Sequence, residues 1–237
     1  MGSNSIKRDH HLWTRDTIKN VTGDVTLDIA GDITLDADGG EIYLKDGGTT
    51  FGEFSTDGDY TTLKLYEDGG ASADDFFRIR VQAEGVTTLS TVDANAAVAH
   101  LNIEADGHVE FDGCGVGFDL VTPTYDATNT DVDFRTGNKQ FLTFDGGDIV
   151  NVRFIFPATS GNFVCLIKQD GTGGREITNY KVYNSVPNPA TGSFPMLFAG
   201  GSNPDLTDDA NHVDIISIFW DGDNEIAYAV PSLDFQF

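Results

Sequence analysis

The 237-residue chain is long enough to bury one large core or two small ones. Its 38 acids against 14 bases give a formal charge of −24, which excludes nucleic acid as a partner and argues against docking on an anionic membrane. With 39% hydrophobic residues, 17 Phe and 27 Gly, the chain reads as folded and rich in strands and turns, not as disordered.

Residues 1–20 set Lys7, Arg8, Arg15 and Lys19 against Asp9 and Asp16, so a net positive leader precedes an acidic body. Ile6, Leu12, Trp13 and Ile18 fit neither helical nor strand spacing. The leader reads either as a loose terminus or as an anchoring peptide that orders on a partner, with Trp13 as its buried contact. It lacks the apolar stretch of a secretory signal. No run in the chain approaches the ~20 apolar residues of a bilayer span, so no membrane insertion is expected. Cys114 and Cys165 are far apart, which fits synthesis in a reducing cytoplasm better than a disulfide framework.

Next comes a repeat, "GDVTLDIAGDITLDADGGEIYLKDGG". The pairs Gly23-Asp24, Gly31-Asp32 and Gly40-Glu41 are each followed by apolar residues two apart: Val25 and Leu27, Ile33 and Leu35, Ile42 and Leu44. That is the period-2 signature of a half-buried strand, with Gly at each corner. Units this short cannot bury a face alone and must stack on one another or on neighbouring chains. The calcium β-roll is a poor match, because its Gly-Gly-x-Gly-x-Asp lacks the middle Gly here; Asp28, Asp32, Asp36 and Asp38 read as a solvated face.

Short alternating runs continue through "YTTLKLYE", "DDFFRIRVQ", "VTTLSTVD", "AHLNIEADG" and "HVEFDG", with turn signals between them. They predict an all-β solenoid or prism over 21–130. From about Asp131 the strands become longer and more fully apolar: "KQFLTF", "NVRFIF", "NFVCLIKQ", "VDIISIFW" and "EIAYAV". Such runs belong to strands buried on both faces or to sandwich cores. Residues 131–237 are therefore expected to form a separate β-sandwich of jelly-roll type, with its turn-rich loops gathered at the ends.

Three linked motifs in this last region, "KQDGTGGREIT" at 168–178, "AGGSNPDLT" at 199–207 and "HVDIISIFWDG" at 212–222, resemble the C-terminal domain of tail-fibre and receptor-binding proteins of tailed bacteriophages. The repeat and "STVDANAAVAHLNIEADGHVEFD" look like shaft segments of marine-phage tail proteins. The resemblance covers about residues 21–237. It departs from the family in the loops, "GGREITNYKVYN" and "VPNPATGSFPM", where receptor choice would be expected to vary.

The resemblance implies a homotrimer located in the virion. Residues 1–20 would attach it to other virion proteins of tail, baseplate or capsid, through Ile6, Lys7, Arg8, Leu12, Trp13, Arg15 and Ile18. Val25, Leu27, Ile33, Leu35, Ile42 and Leu44 would point to the trimer axis, and the acidic rim would keep strand edges from pairing wrongly. The C-terminal domain would meet a host-surface glycan or protein, with Tyr180, Tyr183, Phe194 and Phe198 as contact candidates; for the two Phe, core packing is the equal alternative. A capsid decoration or head-fibre protein is the runner-up.

Some phage spikes cleave polysaccharides, so a third reading is a depolymerase built on two carboxylates. Asp74-Asp75, Asp208-Asp209 and the Asp221/Asp223 pair all have turn contexts that account for them. His100, His108 and His212 are scattered, and "DGTGGR" lacks the Lys-Ser/Thr ending of a phosphate loop. Neither cysteine has a His partner in a known local pattern. No enzymatic motif, cofactor or metal is expected.

Overall fold

The computed structural model describes residues 26–95, 99–184, 187 and 193–236. The proposed anchor residues Ile6, Lys7, Arg8, Leu12, Trp13, Arg15 and Ile18, and Val25 of the repeat, lie outside them. Among the described residues every regular element is a β-strand apart from two short 3-10 turns, and the chain divides into two units at His108/Val109.

In the first unit, β1 (Glu41–Asp46), β2 (Thr49–Asp57), β3 (Tyr60–Tyr66), β4 (Phe76–Val81) and β5 (Thr87–Val92) form one antiparallel meander in chain order. Gly47 and Gly48, both at positive φ, make the two-residue turn from β1 to β2. Alternation splits this sheet into two unlike faces. One is polar: Lys64 lies 3.6 Å from Glu53 and over the rings of Tyr66 and Phe76, while Arg80 stacks on Tyr60. The other is apolar, and the register runs Ile42, Phe54, Leu63, Ile79 and Leu89 straight across all five strands.

Of the three repeat copies, the third forms a strand within one chain. Ile42 is half-buried in β1 and Leu44 is 38% exposed. Residues 26–38 hold no strand, and Leu27, Ile33 and Leu35 are exposed. The stretch 101–119 behaves alike: it holds no strand, and Leu101 and Ile103, Val109 and Phe111, Val116 and Phe118 are all exposed. "AHLNIEADG" and "HVEFDG" are therefore not strands within a single chain.

The second unit packs two sheets about one core. β6 (Leu120–Val121), β8 (Lys139–Thr143), β10 (Gly161–Lys168), β12 (Met196–Phe198), β13 (Val213–Asp221) and β14 (Ile226–Phe235) form a six-stranded sheet in the order β12-β14-β13-β10-β8-β6. Facing it are β11 (Ile177–Tyr183), β9 (Ile149–Ile155) and β7 (Asn129–Asp133). The sandwich therefore begins upstream of Asp131.

The jelly-roll expectation needs correction. From β6 to β11 the chain alternates between the two sheets, so β6, β8 and β10 pair in parallel and so do β7, β9 and β11. Each strand returns beside its predecessor after visiting the other sheet, which is the winding of a solenoid. The β13–β14 hairpin then continues the larger sheet in antiparallel fashion. Nearly continuous apolar runs suit parallel strands with both faces covered as well as the cores of antiparallel sandwiches, so those runs did not distinguish this winding from the one expected. Asn129, Asn151 and Asn179 are in register across the smaller sheet; the Asn179 side-chain amide donates to Asn151 Oδ1 at 3.3 Å and that of Asn151 to Asn129 Oδ1 at 3.1 Å.

The core between the sheets is aromatic. Phe156 stacks on Trp220 at 4.9 Å and on Phe134 at 5.0 Å, with Phe163 at 5.2 Å. Trp220 donates from Nε1 to the Pro157 carbonyl, which satisfies its one polar atom.

Candidate functional site

The parallel winding brings three loops to one end of the sandwich, those at 144–148, 169–176 and 199–212, beside the end of β14. The motifs at 168–178 and 199–207 fall there. Asp170 is the hub. Its carboxylate accepts backbone N–H groups from Thr172 (2.8 Å), Gly173 (2.9 Å) and Gly146 (3.2 Å), and the Arg175 Nε at 2.8 Å. Gly173, at φ +76°, lies so close to the Asp208 carbonyl that a Cβ there would overlap it. Gly174 then donates to that same carbonyl at 2.7 Å. Buried Asp214 accepts from the Thr207 N–H and hydroxyl and from the Asp234 N–H, tying the third loop to the end of β14.

Hydrogen bonds, from Thr172 first, hold the Asp170 carboxyl well below its ordinary value, at about 2, against the opposing effect of desolvation. A carboxyl depressed by folding adds stability above its unfolded pKa of ~3.9 and loses it as pH falls through the folded value. The loop amides of Thr172 and Gly173 should therefore keep their NMR shifts through pH 4 and move with a midpoint near 2. A midpoint near 4 would show that Asp170 does not hold this loop.

At the surface of this end, Asp209, His212 and Asp234 bring ligand atoms within 4.8 Å of one another, and His212 Nδ1 lies 2.7 Å from Asp234 Oδ1. The hydrogen bond between His212 and Asp234 accounts for two of the three side chains.

The four aromatic contact candidates are not displayed at this end. Tyr183 and Phe198 are buried, and Tyr180 and Phe194 pack against the same core. Tyr180 stacks on Phe154 at 6.3 Å and meets Phe198 edge-on at 5.0 Å. They are core residues of β11, β12 and the bridge at Phe194, which for Phe194 and Phe198 is the core-packing alternative, and burial leaves Tyr180 and Tyr183 undisplayed as well. Burial pushes the Tyr180 hydroxyl pKa up, and its oxygen meets no hydrogen-bond partner among the described residues. Leaving a buried hydroxyl unpaired costs ~1–3 kcal/mol. Tyr180→Phe should thus be neutral or stabilising, by up to ~1 kcal/mol in chemical denaturation. A clear loss of stability would show that the hydroxyl is bonded after all.

The first unit has a groove of about 410 Å³ whose lining includes Tyr66, Glu67, Asp75, Phe76, Asp93 and His100. The Glu67 carboxyl is raised above its ordinary value by desolvation, then by the charges of Asp75, Asp93 and Asp68. Asp75, buried, accepts the Ala94 N–H at 2.6 Å. Spacing gave no hint of this cluster, because Glu67, Asp75 and Asp93 are joined only by the pairing of β3, β4 and β5.

Cys165 is fully buried in β10, its thiol pushed up to about 12, and Cys114 is exposed. The raised Cys165 thiol is the opposite of an activated nucleophile. Among the described residues no helix is long and apolar enough to cross a membrane. No protein-family model, curated protein or solved structure matches the chain.

Proposed function

We propose that this chain is a structural protein of a tailed-phage virion, a homotrimeric tail fibre or adhesin. Its basic leader attaches it to the particle, its middle forms a shaft, and its C-terminal sandwich presents loops to a host-surface glycan or protein. The observation that carries the reading is the missing core of the first half. Among the described residues, no hydrophobic side chain before Val132 is buried. A chain segment that exposes alternating Leu, Ile, Val and Phe over so long a stretch gains too little burial to offset the entropy of ordering it. Neighbouring copies sharing a core would supply that burial, and the acidic residues between the apolar ones would keep the exposed edges from pairing indiscriminately. Weak contacts at three identical tips would add through effective concentration.

The test is a reconstruction of the virion that carries this chain. Density leaving the tail or baseplate in three-fold copies is the expected result. Density on the capsid lattice would replace the tail fibre with a decoration or head-fibre protein, and absence from the particle would overturn both. A second reading rests on the groove at Glu67, where a carboxyl raised above its ordinary value lies beside Asp75 and Asp93, the pairing of carboxyls that glycan cleavage uses. New reducing ends on host polysaccharide, abolished by Glu67→Gln, would favour it.

A further inference from the structure

We infer that the outer face of the six-stranded sheet is a self-association surface, on which a second copy of this chain packs. The inference rests on the homo-oligomeric reading above and adds a surface in the C-terminal half that the reading leaves unassigned. Residues on the inner side of β10, β13 and β14 are buried in the core, so their neighbours in sequence point outward. The register sets Phe141, Leu166 and Ile215 side by side in one row of that outer face. Phe219, Tyr228 and Leu197 form another, with Phe219 and Tyr228 stacked at 6.4 Å. Phe219 is 45% exposed and Val230 55%.

Charge argues for a copy of the same chain. On a molecule of −24, this face carries Lys139 and Lys168 and, at its extreme end, one acid, Asp221, whose carboxylate is engaged by Asn224. Two copies meeting through most other surfaces would bring carboxylates together, whereas here they meet through apolar rows with almost no acid. A basic partner would be drawn to the acids and away from this face. Area argues the same way. Strands ~4.8 Å apart rising ~3.3 Å per residue give on the order of 500 Å² over six strands, within the range of the largest exposed patches on single chains, which are often functional. Specific interfaces bury ~800 Å² per partner, so this face would supply more than half. The uncovered apolar face of the five-stranded sheet offers a comparable contribution on the same chain.

The test uses the full chain in a Cys114→Ser background, with Ser217→Cys at the centre of the face between Val164 and Val230. Thr178→Cys, exposed on β11, is the control. Sedimentation first fixes the mass of the parent protein, and a short bismaleimide then probes each variant. The expected result is an oligomeric parent, with covalent chain dimers from Ser217→Cys well above those from Thr178→Cys. An oligomeric parent with equal, low cross-linking from both variants would overturn this inference and leave the oligomeric reading intact. A monomeric parent would overturn both. A Ser217→Cys thiol shielded from the reagent in a monomer would mean that the chain covers the face itself, and would overturn the inference as well.

Discussion

Leu63→Asp is expected to abolish the oligomer proposed above and leave single chains in sedimentation. Leu63 is the middle residue of the row that crosses the five-stranded sheet, with Phe54 on one side and Ile79 on the other. Among the described residues of one chain nothing closes that face fully: Phe54 is 51% exposed and Leu89 55%. If copies share a core there, the substitution puts one carboxylate per chain into it with no partner. The opposite face already holds the compensating groups, Lys64, Arg78 and Arg80, pointing away from Leu63. An unpaired buried charge costs several kcal/mol even after relaxation, and the cost recurs in every copy. Leu89→Asp, at the edge of the row, should weaken assembly less because its carboxylate stays near water. An oligomer unchanged by Leu63→Asp would show that this face meets no partner, and would remove the main support for a shaft.

The reading of the chain as all-β came from local pattern, and local pattern was where it succeeded. The runs that became β3, β4 and β5 alternate with period 2, and the apolar runs around Phe141, Phe154, Val164 and Ile216 became β8, β9, β10 and β13. What the residues did not carry was the long-range pairing. Asn129, Asn151 and Asn179 are 22 and 28 residues apart, an irregular spacing that shows no repeat, yet they stack into one ladder. Parallel and antiparallel partners make similar demands on a buried strand, so the winding was open until the register was seen.

The candidate sites divide in the same manner. Asp170 was legible as a turn residue because its partners Thr172, Gly173 and Arg175 are its neighbours in sequence. The groove at Glu67 and the His212–Asp234 pair were not, since strand pairing alone brings their members together. The aromatic candidates show a different error. Tyr180 and Tyr183 sit next to a Pro- and Gly-rich stretch and were grouped with it, although "ITNYKVY" is itself a strand. Val182 is fully buried while Thr178 and Asn179 are exposed, the half-buried pattern of a strand that packs with one side.

Phe156→Ala is expected to destabilise the C-terminal sandwich by ~3–5 kcal/mol, the usual cost of removing a buried ring. Phe156 is fully buried and follows β9, where it faces the six-stranded sheet. Its ring lies nearly parallel to those of Trp220 and Phe134, at 8° and 13°, and within 5.2 Å of Phe163. Those neighbours are themselves fixed from several sides. Trp220 is held by its hydrogen bond to Pro157, and the Phe156 backbone donates to the Tyr183 carbonyl at 2.8 Å. A site with such anchored walls cannot collapse to fill the space, so the cavity penalty adds to the lost transfer energy. Phe219→Ala, one residue from Trp220 but on the outer face, should cost the isolated chain under ~1 kcal/mol, because it removes a half-exposed ring. The difference is to be read by denaturant titration, with near-UV circular dichroism following the Trp220 environment. Near-equal losses for the two variants would mean that the inner and outer faces of this sheet are not distinguished by burial, which the alternation along β13 requires.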